Sequence, residues 1–427
     1  MGKRENAENS FGIAVDIGTT TVVAAKIAPD GTQTASTACL NSGARFGSDV
    51  MSRIRAASEG RADELQKLLQ SDITGLIVQL VSEEEGAPRS IVLAGNTTML
   101  HLLRGYDCSC LGRSPYTPVS IAAEEHTAEE MFPGISAPLA RTRTILLPGI
   151  SAFVGADIVS GLFATDCMRK SAGRTILFID LGTNGEMALI SGDRITVCST
   201  AAGPVFEGAG IRDGMRGGPG AIERVVLVPV AGGMSGSEKA APAQARCRVI
   251  GGEMPAGICG SGVLEAVSEL ARLRLIDRDG LLEEPWFSEG FPLAKREDDT
   301  DIRLYQEDIR AVQLAKAAIR AGMQTLLTSQ GLARDAADEV LVAGAFGGAL
   351  TFSRLGPLGM FPEELLSMAV AVGNTSLRGA AKVAAACLSD QDGQVLAELD
   401  RICSAAAELR LAGRQDFEAL YLNALTF

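Results

Sequence analysis

Two short runs carry the residue types of a phosphate site. Asp16-Ile17-Gly18-Thr19-Thr20 follows an apolar stretch with Ile13 and Val15, and Asp180-Leu181-Gly182-Thr183-Asn184-Gly185-Glu186 follows Thr175 to Ile179. A tight turn after a buried strand can aim successive backbone N–H groups at an anion, and glycine permits both the turn and the close approach of phosphate. Gly18 and Gly182 occupy that place. Asp16 and Asp180, at the strand ends, would point carboxylates toward one spot, where a magnesium ion keeping most of its water could bridge them to phosphates. Thr19, Thr20, Thr183 and Asn184 add side-chain hydrogen bonds. A single D-x-G-T run is also an ordinary hairpin turn; two copies in matched contexts argue for a nucleotide.

Leu341 to Gly348 reads as a strand opening into glycines, where an adenine ring and ribose could lie against the backbone at Gly344, Gly347 and Gly348. Gly257 to Gly262 precedes a helical run, so Gly260 and Ser261 could meet a ligand at a helix N-terminus, or could mark a crowded packing site. Glu207, in a glycine-rich stretch from Gly203 to Arg216, could orient a water as a base or be a solvated loop acid. Cys259 reads as a small space-filler. Cys108-Ser109-Cys110 with His101 lacks the spacing of a four-ligand metal site.

Stepping outward along the chain, Phe11 to Ile27 reads as strand, turn, strand, with a third short strand over Thr32 to Ala38. Gly47 to Ala57 and Ala62 to Val81 show helical spacing, and Ile91 to Ala94 returns as a buried strand. From Arg174 the opening is repeated: Thr175 to Ile179, the second turn, Met187 to Ile190, and Arg194 to Cys198. A helix over Asp308 to Thr328, a strand over Val340 to Ala343 and a helix over Leu377 to Leu388 follow. The common order argues for duplicated α/β lobes facing each other across a central nucleotide cleft. The break between them is expected at 148/149, giving lobes 11–148 and 149–427, with Ser151 to Ala164 as a linking helix. Ala231 to Ala245 and Glu283 to Asp301 read as surface insertions.

Composition narrows the function. The chain has 427 residues, 46% of them hydrophobic, and 39 Lys plus Arg against 52 Asp plus Glu. The formal charge of −13 repels nucleic acid and anionic lipid. No apolar run approaches the roughly 20 residues that span a bilayer, and Met1 to Ser10 is unlike a signal peptide, so a cytoplasmic protein without a membrane partner is expected. The nine cysteines contain no C-x-x-C, and His101 and His126 are the only histidines, which leaves little for iron-sulfur ligation or a nucleophile–histidine pair. An acidic surface with an apolar C-terminal strip is compatible with a homodimer.

The same motifs resemble a known superfamily. Asp16–Thr20, Asp180–Glu186 and 343–348 are similar to the two phosphate motifs and the adenosine motif of the acetate and sugar kinases, heat-shock chaperones and actin. The longer runs GNTTMLHLL (95–103), LPGISAFVGADIVSGL (147–162), STAAGPVFEGAGIRDGMRGGPGAIE (199–223), GICGSG (257–262) and VAGAFGG (342–348) resemble the middle and C-terminal ATPase domains of the reductive activators of corrinoid proteins. The resemblance implies a two-lobed, actin-like (ribonuclease H-like) fold that binds ATP and Mg2+. It also implies an activity, the ATP-dependent return of cob(II)amide on a corrinoid protein to cob(I)amide. In that family the electron comes through an attached iron-sulfur domain. Only ten residues precede Phe11 and no four-cysteine ferredoxin pattern is present, so a separate ferredoxin-like donor is expected. Two rivals use the same fold: a small-molecule kinase, and a nucleotide-switched assembly or chaperone-like module.

Overall fold

Buried apolar runs make the inner strands of both halves. In the computed structural model, which describes residues 10–47, 49–82, 86–230, 243–344 and 351–427, the first sheet contains β1 (Gly12–Ile17), β2 (Thr21–Ile27), β3 (Gln33–Leu40), β4 (Ser90–Gly95), β5 (Glu124–Thr127) and β6 (Arg143–Leu146). Their spatial order is β3-β2-β1-β4-β6-β5. The first three strands form an antiparallel meander, and β1, β4 and β6 run parallel. Parallel strands are covered on both faces, and β1 and β4 are accordingly apolar almost throughout.

One face is covered by helix Ala62–Leu80, which buries Leu65, Leu69, Ile73, Leu76, Ile77 and Leu80 along one stripe. The expected preceding helix runs over Val50–Ala56, and a wider turn with Gly60 at φ 90° joins the two helices. The other face is covered by helix Thr375–Leu388, packed on β1 and β4, with helix Ala156–Ala164 beside it. These two helices approach so closely that a Cβ on Gly379 would sit 2.2 Å from the Ser160 carbonyl oxygen.

The second half opens with β7 (Thr175–Leu181), β8 (Gly185–Ser191) and β9 (Arg194–Thr200), and continues through β10 (Ala221–Pro229), β11 (Ala243–Val249), β12 (Gly257–Ile258), β13 (Phe291–Lys295), β14 (Asp301–Leu304), β15 (Glu339–Gly344), β16 (Ala369–Gly373) and β17 (Ala406–Glu408). The larger sheet has the order β16-β15-β7-β8-β9-β17, with β15 parallel to both β7 and β16. Without its last strand this is the order β6-β4-β1-β2-β3 of the first half, so the repeated sequence pattern does encode a repeated sheet.

The chain forms two compact units. The first comprises residues 1–173, 190–197 and 374–408, and the second 174–189, 198–373 and 409–427. The first break therefore falls at Gly173/Arg174, later than the expected 148/149. Helix Ala156–Ala164 is nearly all buried and belongs to the first unit instead of linking two. The expected surface insertion at Glu283–Asp301 also needs correction: β13 and β14 form a hairpin whose Phe291, Leu293, Ile302 and Leu304 join the second unit's core. Of the other insertion, 231–242 lies outside the described residues, and Ala243–Val249 pairs with β10. Among the described residues no helix is long and apolar enough to cross a membrane.

Candidate nucleotide site

In the first unit, the Asp16–Thr20 turn is held by its own backbone and by a buried arginine. Gly18 donates its N–H to the Thr21 carbonyl at 2.9 Å, and a Cβ at Gly18 would lie 2.7 Å from that oxygen. No larger residue fits there. Arg53, 1% exposed, donates Nη2 to the Thr19 carbonyl at 3.0 Å and Nε to the Gly47 carbonyl at 2.7 Å. Burial pulls its guanidinium down to about 10, against the opposing charge of Asp49. Asn41 donates to the Gly18 carbonyl at 2.9 Å. Asn96, which caps helix Thr97–Arg104, donates to the Thr19 hydroxyl at 3.1 Å.

The Asp16 carboxylate accepts from Asn374 Nδ2 at 2.7 Å and from Ser376 Oγ at 2.6 Å. Burial raises its pKa, and those two hydrogen bonds oppose the rise. Asp157, in the first turn of helix Ala156–Ala164, is pushed up to about 7, chiefly by burial, with the Asp16 charge adding to it. Gly155 brings that helix in: its Cβ would meet Asn96 Cα and Thr97 N at 2.6 Å. Two desolvated carboxylates in each other's field are an arrangement that a cation relieves. The donor set suits a hard, water-keeping ion such as magnesium, which takes one or two carboxylates instead of a full protein cage.

In the second unit, Gly182 donates its N–H to the Asn184 carbonyl at 3.0 Å and closes the Asp180–Glu186 turn. The Thr183 hydroxyl donates to Glu207 Oε1 at 2.7 Å, so the glycine-rich stretch does bring Glu207 to this turn. Gly344 arrives from β15, where Ala343 pairs with Asp180 and Gly344 with Leu181. Its φ of 126° and the 2.5 Å from its would-be Cβ to the Leu181 carbonyl both require glycine. Gly347 and Gly348 lie outside the described residues. Gly260 and Ser261 begin helix Gly260–Arg272, and a Cβ on Gly260 would sit 1.9 Å from the Phe206 carbonyl. That close approach gives the glycine a packing reason, in a helix start pressed on the turn that carries Glu207.

Motif reading missed Arg53, Asn41, Asn96, Asn374, Ser376 and Asp157. Asn96 and Asn374 were findable as N-caps just after a strand, since each caps the helix that follows it. Asp157 offers only a small-residue helix start in GAD. All nine cysteines are free thiols, and the described residues contain no cluster of three or more His, Cys, Asp or Glu that could hold a metal by itself. His101 is engaged by the Thr97 carbonyl and the Val119 N–H.

A repeated sheet of this order, with a glycine-threonine turn after the first strand of each copy, defines an actin-like domain of the nucleotide-binding kind. The chain belongs to the RACo family: residues 174–427 match the C-terminal ASKHA domain of RACo and residues 11–170 the RACo middle region. It is 32% identical over 388 residues to the corrinoid activation enzyme RamQ of Eubacterium limosum, covering 84% of this chain and 61% of that protein. It is 26% identical over 383 residues to the [Co(II) methylated amine-specific corrinoid protein] reductase of Methanosarcina barkeri, covering 86% and 68%. A solved reductive activator for corrinoid, iron-sulfur protein superposes with a TM-score of 0.86 at 34% identity, over 98% of this chain and 66% of the other. The chain thus spans roughly two thirds of the length of these relatives.

Proposed function

We propose that this protein is an ATP-dependent reductive activator of a corrinoid protein, returning its cobalt from cob(II)amide to cob(I)amide with an electron from a ferredoxin-like iron-sulfur donor. The observation that carries this reading is the likeness to a solved reductive activator across 98% of the chain at 34% identity. Bound Mg-ATP would supply the free energy of nucleotide binding and hydrolysis. Gly18 to Thr20 and Gly182 to Asn184 would hold phosphate oxygens with backbone N–H groups and hydroxyls. Asp16 and Asp180 would orient the magnesium through its water, and Asp157 stands beside Asp16 for the same task. Glu207, fixed by Thr183, would orient the attacking water, and Gly344 with Gly347 and Gly348 would face the adenosine.

Nucleotide can bias a partner only if the two nucleotide states bind that partner differently. The required difference is modest: shifting an equilibrium from 1:99 to 99:1 takes about 5.5 kcal/mol. For one electron that is roughly 240 mV. The test is the visible absorption of a corrinoid protein held as cob(II)amide with a low-potential reductant and ferredoxin. Conversion to cob(I)amide should need both this protein and Mg-ATP; conversion of equal rate without ATP would refute the proposal.

A further inference from the structure

Two short runs far apart in the chain nearly repeat each other. Gly95-Asn96-Thr97-Thr98 follows β4, Gly373-Asn374-Thr375-Ser376 follows β16, and each opens a helix, Thr97–Arg104 and Thr375–Leu388. In both runs the asparagine is the N-cap. The Asn96 amide oxygen accepts from the Met99 N–H at 2.9 Å, and that of Asn374 from the Leu377 N–H at 2.8 Å.

With the oxygens committed to the caps, both amide nitrogens are spent on the Asp16–Thr20 turn. Asn96 Nδ2 donates to the Thr19 hydroxyl at 3.1 Å, and Asn374 Nδ2 to Asp16 Oδ2 at 2.7 Å. Ser376, two residues beyond the second cap, donates Oγ to Asp16 Oδ1 at 2.6 Å. A cap needs only an acceptor, and Asp or Ser serves as well as Asn. An amide differs from both in carrying acceptor and donor on separate atoms, so the donor accounts for asparagine at both places. The polarity of these bonds decides what the turn offers a ligand. Thr19, 7% exposed, accepts from Asn96 and so keeps its own O–H to donate to a phosphate oxygen. Asp16 takes one bond on each oxygen, which leaves each a lone pair for a magnesium-bound water.

We infer that Asn96 and Asn374, the latter with Ser376, are positioning residues of the nucleotide site. The first cap holds Thr19 as a donor to phosphate, and the second holds the Asp16 carboxylate for hydrated magnesium. The inference rests on the reading of Asp16–Thr20 as a nucleotide turn.

Serine separates the two jobs, because it caps a helix as well as asparagine does while its shorter side chain stops short of the turn. Titration calorimetry of the full chain with AMP-PNP, repeated across a series of Mg2+ concentrations, is the test, with melting curves of each variant beside it. Asn96→Ser should weaken AMP-PNP binding at saturating Mg2+ about fivefold, the worth of one hydrogen bond. Asn374→Ser combined with Ser376→Ala should raise the Mg2+ concentration for half-maximal binding about tenfold, and leave affinity at saturating Mg2+ within about twofold. Wild-type chain that bound no AMP-PNP would sink the nucleotide reading and this inference together. Wild-type binding that the substitutions leave unmoved would overturn the inference alone. So would losses that follow a lowered melting temperature and shift both constants alike.

Discussion

Arg53 illustrates how much of the Asp16–Thr20 turn, the candidate phosphate turn, is built from outside the motif. Removing its side chain in Arg53→Ala leaves the carbonyls of Thr19 and Gly47 without their buried donors, at about 1–3 kcal/mol for each unsatisfied group. A loss of about 3 kcal/mol in urea unfolding is expected, with weaker nucleotide binding by calorimetry. The Thr183–Glu207 bond makes a narrower prediction. If Glu207 orients the attacking water as proposed, Thr183→Val should lower ATP hydrolysis about tenfold with little change in melting, and Thr183→Ser should restore it; equal rates for both would overturn that role for Glu207. His101 adds a pH dependence. Its Nε2 accepts from Val119 and its Nδ1 donates to Thr97, so the folded protein holds it neutral, and burial lowers its pKa below 6.5. The unfolded chain then binds the proton first. The stability this gives is complete above pH 6.5 and is lost as pH falls through the lower folded value. Urea midpoints of wild type should therefore decline more steeply with acid than those of His101→Gln. Legibility at this scale followed sequence distance. The turns and Glu207 were visible in short runs, but the Asn374 partner of Asp16 is 358 positions away, and nothing local announces such a contact.

Elements were more legible than their junctions. Strands β1, β4, β7 and β15 are short apolar runs ending in glycine or aspartate turns, and long helices such as Gln306–Ser329 declare themselves by apolar spacing. The β13–β14 hairpin was misjudged because its flanks are polar, while the few residues that face inward are spread over two short strands. Glycine carried two meanings that sequence alone cannot separate. At Gly344 it answers to backbone conformation and to a neighbouring carbonyl; at Gly260 it answers to the Phe206 carbonyl. Gly260→Ala should therefore destabilise the second unit by about 2–3 kcal/mol, an overpacking cost, readable as a lower denaturant midpoint. If Gly260→Ala left stability unchanged and weakened only nucleotide binding, ligand contact would be its role instead.

For the whole chain, duplication was legible and interleaving was not. Among the described residues each unit carries an apolar core of its own, yet the first unit is completed by residues 374–408. Those residues include helix Thr375–Leu388, which covers β1 and β4, and both hydrogen-bond donors to Asp16. A fragment ending at Gly173 should therefore show poor amide dispersion by NMR and little near-ultraviolet dichroism. A fully folded fragment would show that the returning helix is dispensable.

The same return of the chain sets a schedule for biosynthesis. A nascent polypeptide emerging from the ribosome exposes the uncovered face of β1 and β4 from the time Gly95 appears, and the segment that covers it begins only at Asn374. At about 5–20 residues per second, that leaves an apolar sheet face waiting for roughly 15–60 s. Such a face is a natural client for a ribosome-associated holdase, and expression of this protein should be sensitive to how quickly the stretch between Gly95 and Asn374 is translated.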